Sequence, residues 1–94
     1  MGFMFNGCNS FNQSLNNWDV SNVIDMGLMF YECYLFNQPL NDWNVSNVKE
    51  MGDMFYNCKS FNQDISNWDI SKVTNRQEMF SGCPIKAKYI PKFK

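Results

Sequence analysis

The stretch that decides the fold is Met26 to Glu50, MGLMFYECYLFNQPLNDWNVSNVKE. Residues 1–25 laid above it and 51–75 below it carry the same residue types at a fixed step of 25 positions. Cys8, Cys33, Cys58 and Cys83 share one column, Met4, Met29, Met54 and Met79 a second, and Phe5, Phe30, Phe55 and Phe80 a third. Trp18, Trp43 and Trp68 form a fourth, in which Phe93 takes the last place. A period of roughly 20–50 residues marks one supersecondary unit stacked on copies of itself. The chain therefore reads as one domain over residues 1–94, with repeats 1–25, 26–50 and 51–75 and an altered, capping repeat 76–94. Met1 stands in register with Met26 and Met51, so the chain opens inside the pattern, as a fragment or a short uncapped chain would.

Within the repeat, Val48, Met51, Met54/Phe55 and Cys58 step by three or four positions, the spacing of one helix face. Ser46 is then the N-cap, its hydroxyl accepting from a free N–H of the first turn. Glu50, like Asp25, would sit near the positive end of the helix dipole. Gly27 and Gly52 would weaken such helices by about 1 kcal/mol each relative to alanine. Leu15/Trp18/Val20, Leu40/Trp43/Val45 and Ile65/Trp68/Ile70 follow L-x-x-W-x-V, which resembles the L-x-x-L-x-L of a leucine-rich repeat. They predict short parallel strands near residues 17–20, 42–45 and 67–70. The expected fold is an α/β repeat solenoid, a leucine-rich-repeat-like right-handed stack with short parallel strands on one face and short helices on the other. Pro84 and Lys86-Ala87-Lys88 break the pattern in the fourth copy, as a repeat that closes the end of a stack must.

Aromatic residues make up 17% of the chain, yet mean hydropathy is -0.42. Large apolar groups thus alternate with Asn, Ser and Asp, which suits a thin stack that buries a few big side chains per repeat. The net charge of -1 leaves no basic footprint for nucleic acid, and the lysines from Lys86 onward read as keeping the terminal repeat soluble. No apolar run approaches the roughly 18 residues of a membrane span, so membrane insertion by this segment is not expected.

Chemistry has little to work with. There is no histidine, which removes the imidazole base and the commonest metal ligand. No Cys-x-x-Cys pair exists, and serine or cysteine catalysis lacks a partner base. The expectation is a protein that is not an enzyme and that takes no cofactor and no metal. The cysteines each close a segment read as helix, so neighbours would lie about 8–10 Å apart, too far for a disulfide, which needs Cα atoms about 4.4–6.8 Å apart. Buried free thiols are expected. Asn12/Asn37/Asn62 and Gln13/Gln38/Gln63 predict amide ladders that satisfy turn backbone. The tryptophans, standing in a leucine column, predict core packing and not an exposed stacking platform.

The run MF-x-x-C-x-x-FNQ-x-L-x-x-WDVS-x-V spans Met4–Val23, Met29–Val48 (Asn44 for Asp) and Met54–Val73 (Ile65 for Leu, Ile70 for Val). It resembles the repeat of about 25 residues found in bacterial surface proteins and mycoplasmal lipoproteins of unknown function, and is similar to BspA-like leucine-rich repeats. The resemblance covers essentially the whole chain. It implies a cell-surface or secreted protein engaged in adhesion and protein–protein contact, with no catalytic residues to carry over. Arg76 in the Met column and the lost triplet near Lys86 depart from the pattern.

The positions left for recognition are the exposed ones. Asp19/Asn44/Asp69 and Asn17/Asp42/Asn67 lie between the predicted strand core positions and form a polar, mildly acidic surface, the first choice for protein contact. Tyr31, Tyr34 and Tyr56 form a second ridge, since tyrosine joins apolar area to a polar tip. The leading reading is a protein-interaction scaffold, part of or related to a bacterial surface adhesin, whose partner is a protein, for example a host extracellular protein. The alternative is a structural stalk with no ligand, able to self-associate end to end. Trp43→Ala tests the core assignment: thermal or denaturant unfolding should show a loss of about 3–5 kcal/mol, whereas a loss under about 1 kcal/mol would place the ring at the surface.

Overall fold

From Met26 onward the backbone closes one β-turn after another. The N–H of Met29 donates to the carbonyl of Met26, Tyr31 to Leu28, Cys33 to Phe30, Phe36 to Cys33, Trp43 to Leu40 and Val48 to Val45, at 2.9–3.3 Å. A computed structural model describes residues 5–92, and in it Met54, Tyr56, Cys58, Phe61, Trp68 and Val73 close the same turns 25 positions later. A β-turn brings its first and fourth residues together, and in every turn named but Leu28–Tyr31 and Asp53–Tyr56 both ends face inward. Met26, Met29, Phe30, Cys33, Phe36, Leu40, Trp43, Val45 and Val48 are all buried.

Among the described residues, two kinds of turn carry a residue with positive φ in third place. These are Leu28 (62°), Asp53 (56°) and Glu78 (54°) in one turn, and Gly7 (73°), Glu32 (57°), Asn57 (55°) and Gly82 (71°) in the other. A positive φ at that place is the mark of a type II turn. It frees alternate N–H groups to leave the turn sideways. Met26, Leu28, Phe30 and Glu32 donate to the carbonyls of Glu50, Gly52, Met54 and Tyr56, and Met51, Asp53, Phe55 and Asn57 to those of Asn75, Gln77, Met79 and Ser81, at 2.7–3.0 Å. Lys49 and Thr74 donate the other way, to Ile24 and Lys49, both at 2.8 Å.

These bonds overturn the expected solenoid of helices and strands. Among the described residues there is no α-helix, and regular structure amounts to a 3₁₀ turn at Ala87–Tyr89 and the isolated parallel bridges Asp25–Glu50 and Glu50–Asn75. The parallel pairing falls in the segments read as helix, while the segments read as strands, near 17–20, 42–45 and 67–70, begin as turns in which Trp18, Trp43 and Trp68 donate to Leu15, Leu40 and Ile65. Ser46 is no N-cap: its hydroxyl donates to Asn44 Oδ1 at 2.7 Å. The radius of gyration, 11.7 Å, is that of a compact globule of this length, for which about 12 Å is usual.

The interior is an aromatic cluster. Phe5, Phe30, Phe55 and Phe80 stack at centroid separations of 5.4–5.6 Å, and Phe11, Phe36 and Phe61 at 5.8–5.9 Å. Within a copy the two columns touch more closely, Phe30 on Phe36 at 4.5 Å and Phe55 on Phe61 at 4.3 Å. Stacked rings add about 0.5–1.5 kcal/mol per pair to the area they bury. Trp43 and Trp68 are buried and their indole N–H groups donate to the Leu15 and Leu40 carbonyls at 2.8 and 2.9 Å. Trp18 departs from the core assignment, being 40% exposed at the end of the column, where only one neighbouring turn covers it.

The altered fourth copy covers the far side. Lys86 donates its N–H to Asn62 Oδ1, Tyr89 accepts from Ile65, and Lys86 and Lys88 reach over the Tyr89 ring. Met1, Met4 and Phe93, assigned columns from the sequence, lie outside the described residues.

Gly52 distinguishes turn from helix by the sign of one substitution. A Cβ there would meet Glu50 Oε1 and Asn75 Nδ2 at 3.0 Å each, and both side chains are held, Glu50 Oε1 by the Gly52 N–H and Asn75 Oδ1 by the Gln77 N–H. Gly52→Ala would stabilise a helix by about 1 kcal/mol. Here it should destabilise by about 1–2 kcal/mol through overpacking, read from the urea midpoint.

Candidate functional site: surfaces and the thiol column

The six residues of the first-choice surface are all exposed, but their polar atoms are committed locally. Asp19, Asn44 and Asp69 each turn a side-chain oxygen back onto the N–H of the serine two positions on, at 3.0–3.1 Å, and the Ser21 and Ser46 hydroxyls bond the same oxygens. Asp64 does the same with Ser66. These are Asx turns, in which the side chain stands in for backbone. The serine hydroxyl first, and then its N–H, hold Asp19, Asp64 and Asp69 below the usual aspartate pKa. Asp42 accepts from Asn16 Nδ2 at 3.1 Å and Asn67 donates to the Asn41 carbonyl at 3.0 Å, so these two fasten neighbouring turns. Asn17 is exposed. The row is a scaffold surface first.

The amide ladders act as expected. Asn12 Oδ1 accepts from the N–H of Asn37, Asn37 Oδ1 from that of Asn62, and Gln38 and Gln63 reach the same oxygens at 3.1 and 3.0 Å.

The tyrosine ridge resolves into two parts. Tyr31 and Tyr56 are half-buried and stack at 4.9 Å with 6° between the rings. Tyr34 is 37% exposed, beside Leu35 at 53%. Burial, and after it the charges of Glu32 and Asp53 with Tyr56 between them in effect, raises the Tyr31 phenol pKa. Leu35 went unnoticed in the sequence, although its column otherwise holds Ser10, Ser60 and Ile85. An open cleft lined by Ser66, Trp68, Asp69, Ser71, Arg76 and Lys92 was likewise not foreseen. Among the described residues no group of three or more His, Cys, Asp or Glu is placed to hold a metal ion, and no helix is long and apolar enough to cross a membrane.

All four cysteines are free, for a reason other than helix spacing. Each closes a turn, and Cys33 and Cys58 aim their thiols at the carbonyls of Phe5 and Phe30, 2.8 Å away, rather than at one another. Burial pushes Cys33 up to about 11 and Cys58 higher still. Cys83 is partly buried, rises to about 11 from the same cause, and reaches the Phe61 carbonyl at 3.4 Å. Cys8 is exposed.

A family model described as Mycoplasma protein of unknown function, DUF285, matches residues 1–93. No curated protein and no solved structure matches the chain.

The thiol geometry sets two outcomes. In the native protein a thiol reagent should label Cys8 rapidly, and Cys33 and Cys58 only on unfolding. A folded-state pKa above the unfolded value means that the unfolded chain loses these protons first. Stability should therefore hold up to about pH 9, near the free-thiol value, and fall between there and about 11, the value for Cys33. Cys33→Ala should flatten part of that fall in pH-dependent denaturation.

Proposed function

The chain belongs to the DUF285 family of Mycoplasma proteins of unknown function, and from that premise we propose that it is a non-enzymatic protein-interaction scaffold, part of or related to a bacterial surface adhesin. The resemblance of its 25-residue unit to surface-protein and BspA-like repeats supports the location and the role. The observation that carries the reading is the outer surface of the turns, where stacked Tyr31 and Tyr56 lie with exposed Tyr34 and Leu35. Tyrosines of this kind are enriched where proteins meet. The Asx row takes second place, because its oxygens already serve their own turns.

Surface-immobilised protein presented with a panel of host extracellular domains provides the test. Capture of one domain should survive Asp19→Ala/Asn44→Ala/Asp69→Ala, provided that variant is folded, and should fall at least about tenfold, some 1.4 kcal/mol, on Tyr31→Ser/Tyr56→Ser. Capture insensitive to the tyrosine changes would move the contact elsewhere. An empty panel with the folded protein would favour the stalk.

A further inference from the structure

Through the first part of each copy, the backbone bonds that join it to the next run in one direction. Alternate N–H groups donate to carbonyls 24 positions later, Phe5 and Gly7 to Met29 and Tyr31, and Asp53, Phe55 and Asn57 to Gln77, Met79 and Ser81. Such a joint has a donor side and an acceptor side, and the described stack ends on one of each. Glu78, Phe80 and Gly82 take the places of Asp53, Phe55 and Asn57, and among the described residues their N–H groups meet no acceptor. Asn6 takes the place of Tyr31 and Tyr56, whose carbonyls receive the Gly7 and Glu32 N–H groups, and its own carbonyl receives none among the described residues. Unpaired backbone groups at alternate residues are a template for pairing with another chain.

Side chains carry the same polarity. The ring column Phe5, Phe30, Phe55, Phe80 is sealed at its two inner members and ends on rings that are only half-buried. Charge is divided between the ends as well. Residues 1–25 contain Asp19 and Asp25 and no lysine or arginine, whereas residues 76–94 contain Arg76 and four lysines against Glu78 alone. Two acceptor ends brought together would set carbonyl against carbonyl and acid against acid. Two donor ends would set N–H against N–H and lysine against lysine. The donor end of one molecule on the acceptor end of another satisfies both the backbone and the charge.

We propose that this protein associates head to tail with a second copy of itself, the edge at Glu78, Phe80 and Gly82 pairing with the edge at Phe5–Cys8 and repeating between molecules the joint that holds copies together within one. By the spacing of 24 positions, the Gly82 N–H donates to the Asn6 carbonyl of the second copy, and Phe80 stacks on its Phe5. The carbonyls that would receive Glu78 and Phe80 fall before Phe5, outside the described residues. Each joint leaves one donor end and one acceptor end open, so the assembly grows and does not close on a dimer. The pairing weakens past Cys83, because Ala87 stands where Asn12, Asn37 and Asn62 offer a side-chain oxygen to the next copy. So narrow a joint belongs with weak, transient interfaces and calls for protein at about 0.1–1 mM. It makes no use of the tyrosine rings, and so goes beyond the interaction-scaffold reading without depending on it.

The test is a dilution series of the unmodified protein, followed by amide NMR and sedimentation velocity. Toward about 1 mM the mass should rise without a plateau at two copies. The Glu78, Phe80 and Gly82 amides should shift together with those of Asn6 and Gly7, and less as salt rises. Phe5→Ser and Phe80→Ser each spoil one end. Each variant, once its near-ultraviolet tryptophan bands show it folded, should self-associate at least about fivefold more weakly, about 1 kcal/mol. An equimolar mixture should form a two-copy complex that grows no further, through the intact donor end of the first and the intact acceptor end of the second. A protein that stays monomeric at about 1 mM, a mass plateau at two copies, or shifts at one end only or centred on Tyr31 and Tyr56 would overturn the proposal. So would a mixture that assembles no better than either folded variant alone. If a variant does not fold, the amides that move in the unmodified protein decide by themselves. None of these results touches capture of a host domain through the tyrosines, so the scaffold reading stands or falls separately.

Discussion

The distance between successive turns governs this molecule. Backbone bonds of 2.7–3.0 Å between residues 24 positions apart hold neighbouring turns near the spacing of paired β-strands, about 4.8 Å. Flat rings suit that spacing by lying parallel and offset, which is how Phe5, Phe30, Phe55 and Phe80 are arranged. The buried columns accordingly repeat one kind of group, as at Met29/Met54/Met79 and Leu15/Leu40/Ile65, whereas columns nearer the surface, such as Leu28/Asp53/Glu78, do not. Gly27 and Gly52 state the same constraint in reverse, standing where side chains from the next turn leave little space for a Cβ.

A chain whose described residues hold one 3₁₀ turn and two isolated bridges must still find partners for its polar backbone. Here side chains do much of that work. Asp25, Glu50 and Asn75 cap the N–H two positions ahead, and Asp19, Asn44 and Asp69 cap the serines. Asn12 and Asn37 serve the backbone of the next turn, and the Cys33 and Cys58 thiols and the Trp43 and Trp68 indoles return bonds to carbonyls 28 positions earlier. No buried side-chain nitrogen or oxygen among the described residues lacks a partner. The residues that look most available for recognition in the sequence are therefore the ones most occupied in the fold. The tyrosines, whose hydroxyls have no such duty in the backbone, are left for contact.

Burial was legible in the sequence and local conformation was not. The columns containing Met29, Phe30, Cys33, Leu40, Trp43 and Val45 were correctly placed inside, because apolar residues at fixed recurrence are buried whatever the backbone does. The spacing of three that suggested a helix is equally the spacing of consecutive β-turns, whose first and fourth residues share a side. Periodicity alone cannot separate them. The glycines could have done so. Gly7 and Gly82 share a column with Asn57 and Glu32, and a column containing two glycines and an asparagine is the mark of positive φ. Asp-x-Ser and Asn-x-Ser at Asp19, Asn44, Asp64 and Asp69 carried a second signal, for Asx turns and not helix caps. Leu28, Glu32 and Glu78 hid it, since nothing about those residue types announces a left-handed backbone. The candidate surface was half legible: Tyr31 and Tyr56 share a column of the repeat, whereas the exposure of Leu35 beside Tyr34 emerges only in the fold.

The run of β-turns has a consequence for how order in this protein can be observed. The helix and sheet bands of far-ultraviolet circular dichroism arise from long runs of repeating φ and ψ, and a chain whose dihedral angles change at almost every residue does not give them. Yet its amides are bonded in an alternating pattern, to the turn at one residue and to the neighbouring copy at the next, as at Met29, Phe30, Tyr31 and Glu32. Hydrogen exchange would register that protection, and near-ultraviolet bands would register the fixed tryptophans. Among its optical and exchange properties, then, regularity and rigidity come apart, and a spectrum without helix or sheet bands would be recorded from a molecule with a close-packed interior.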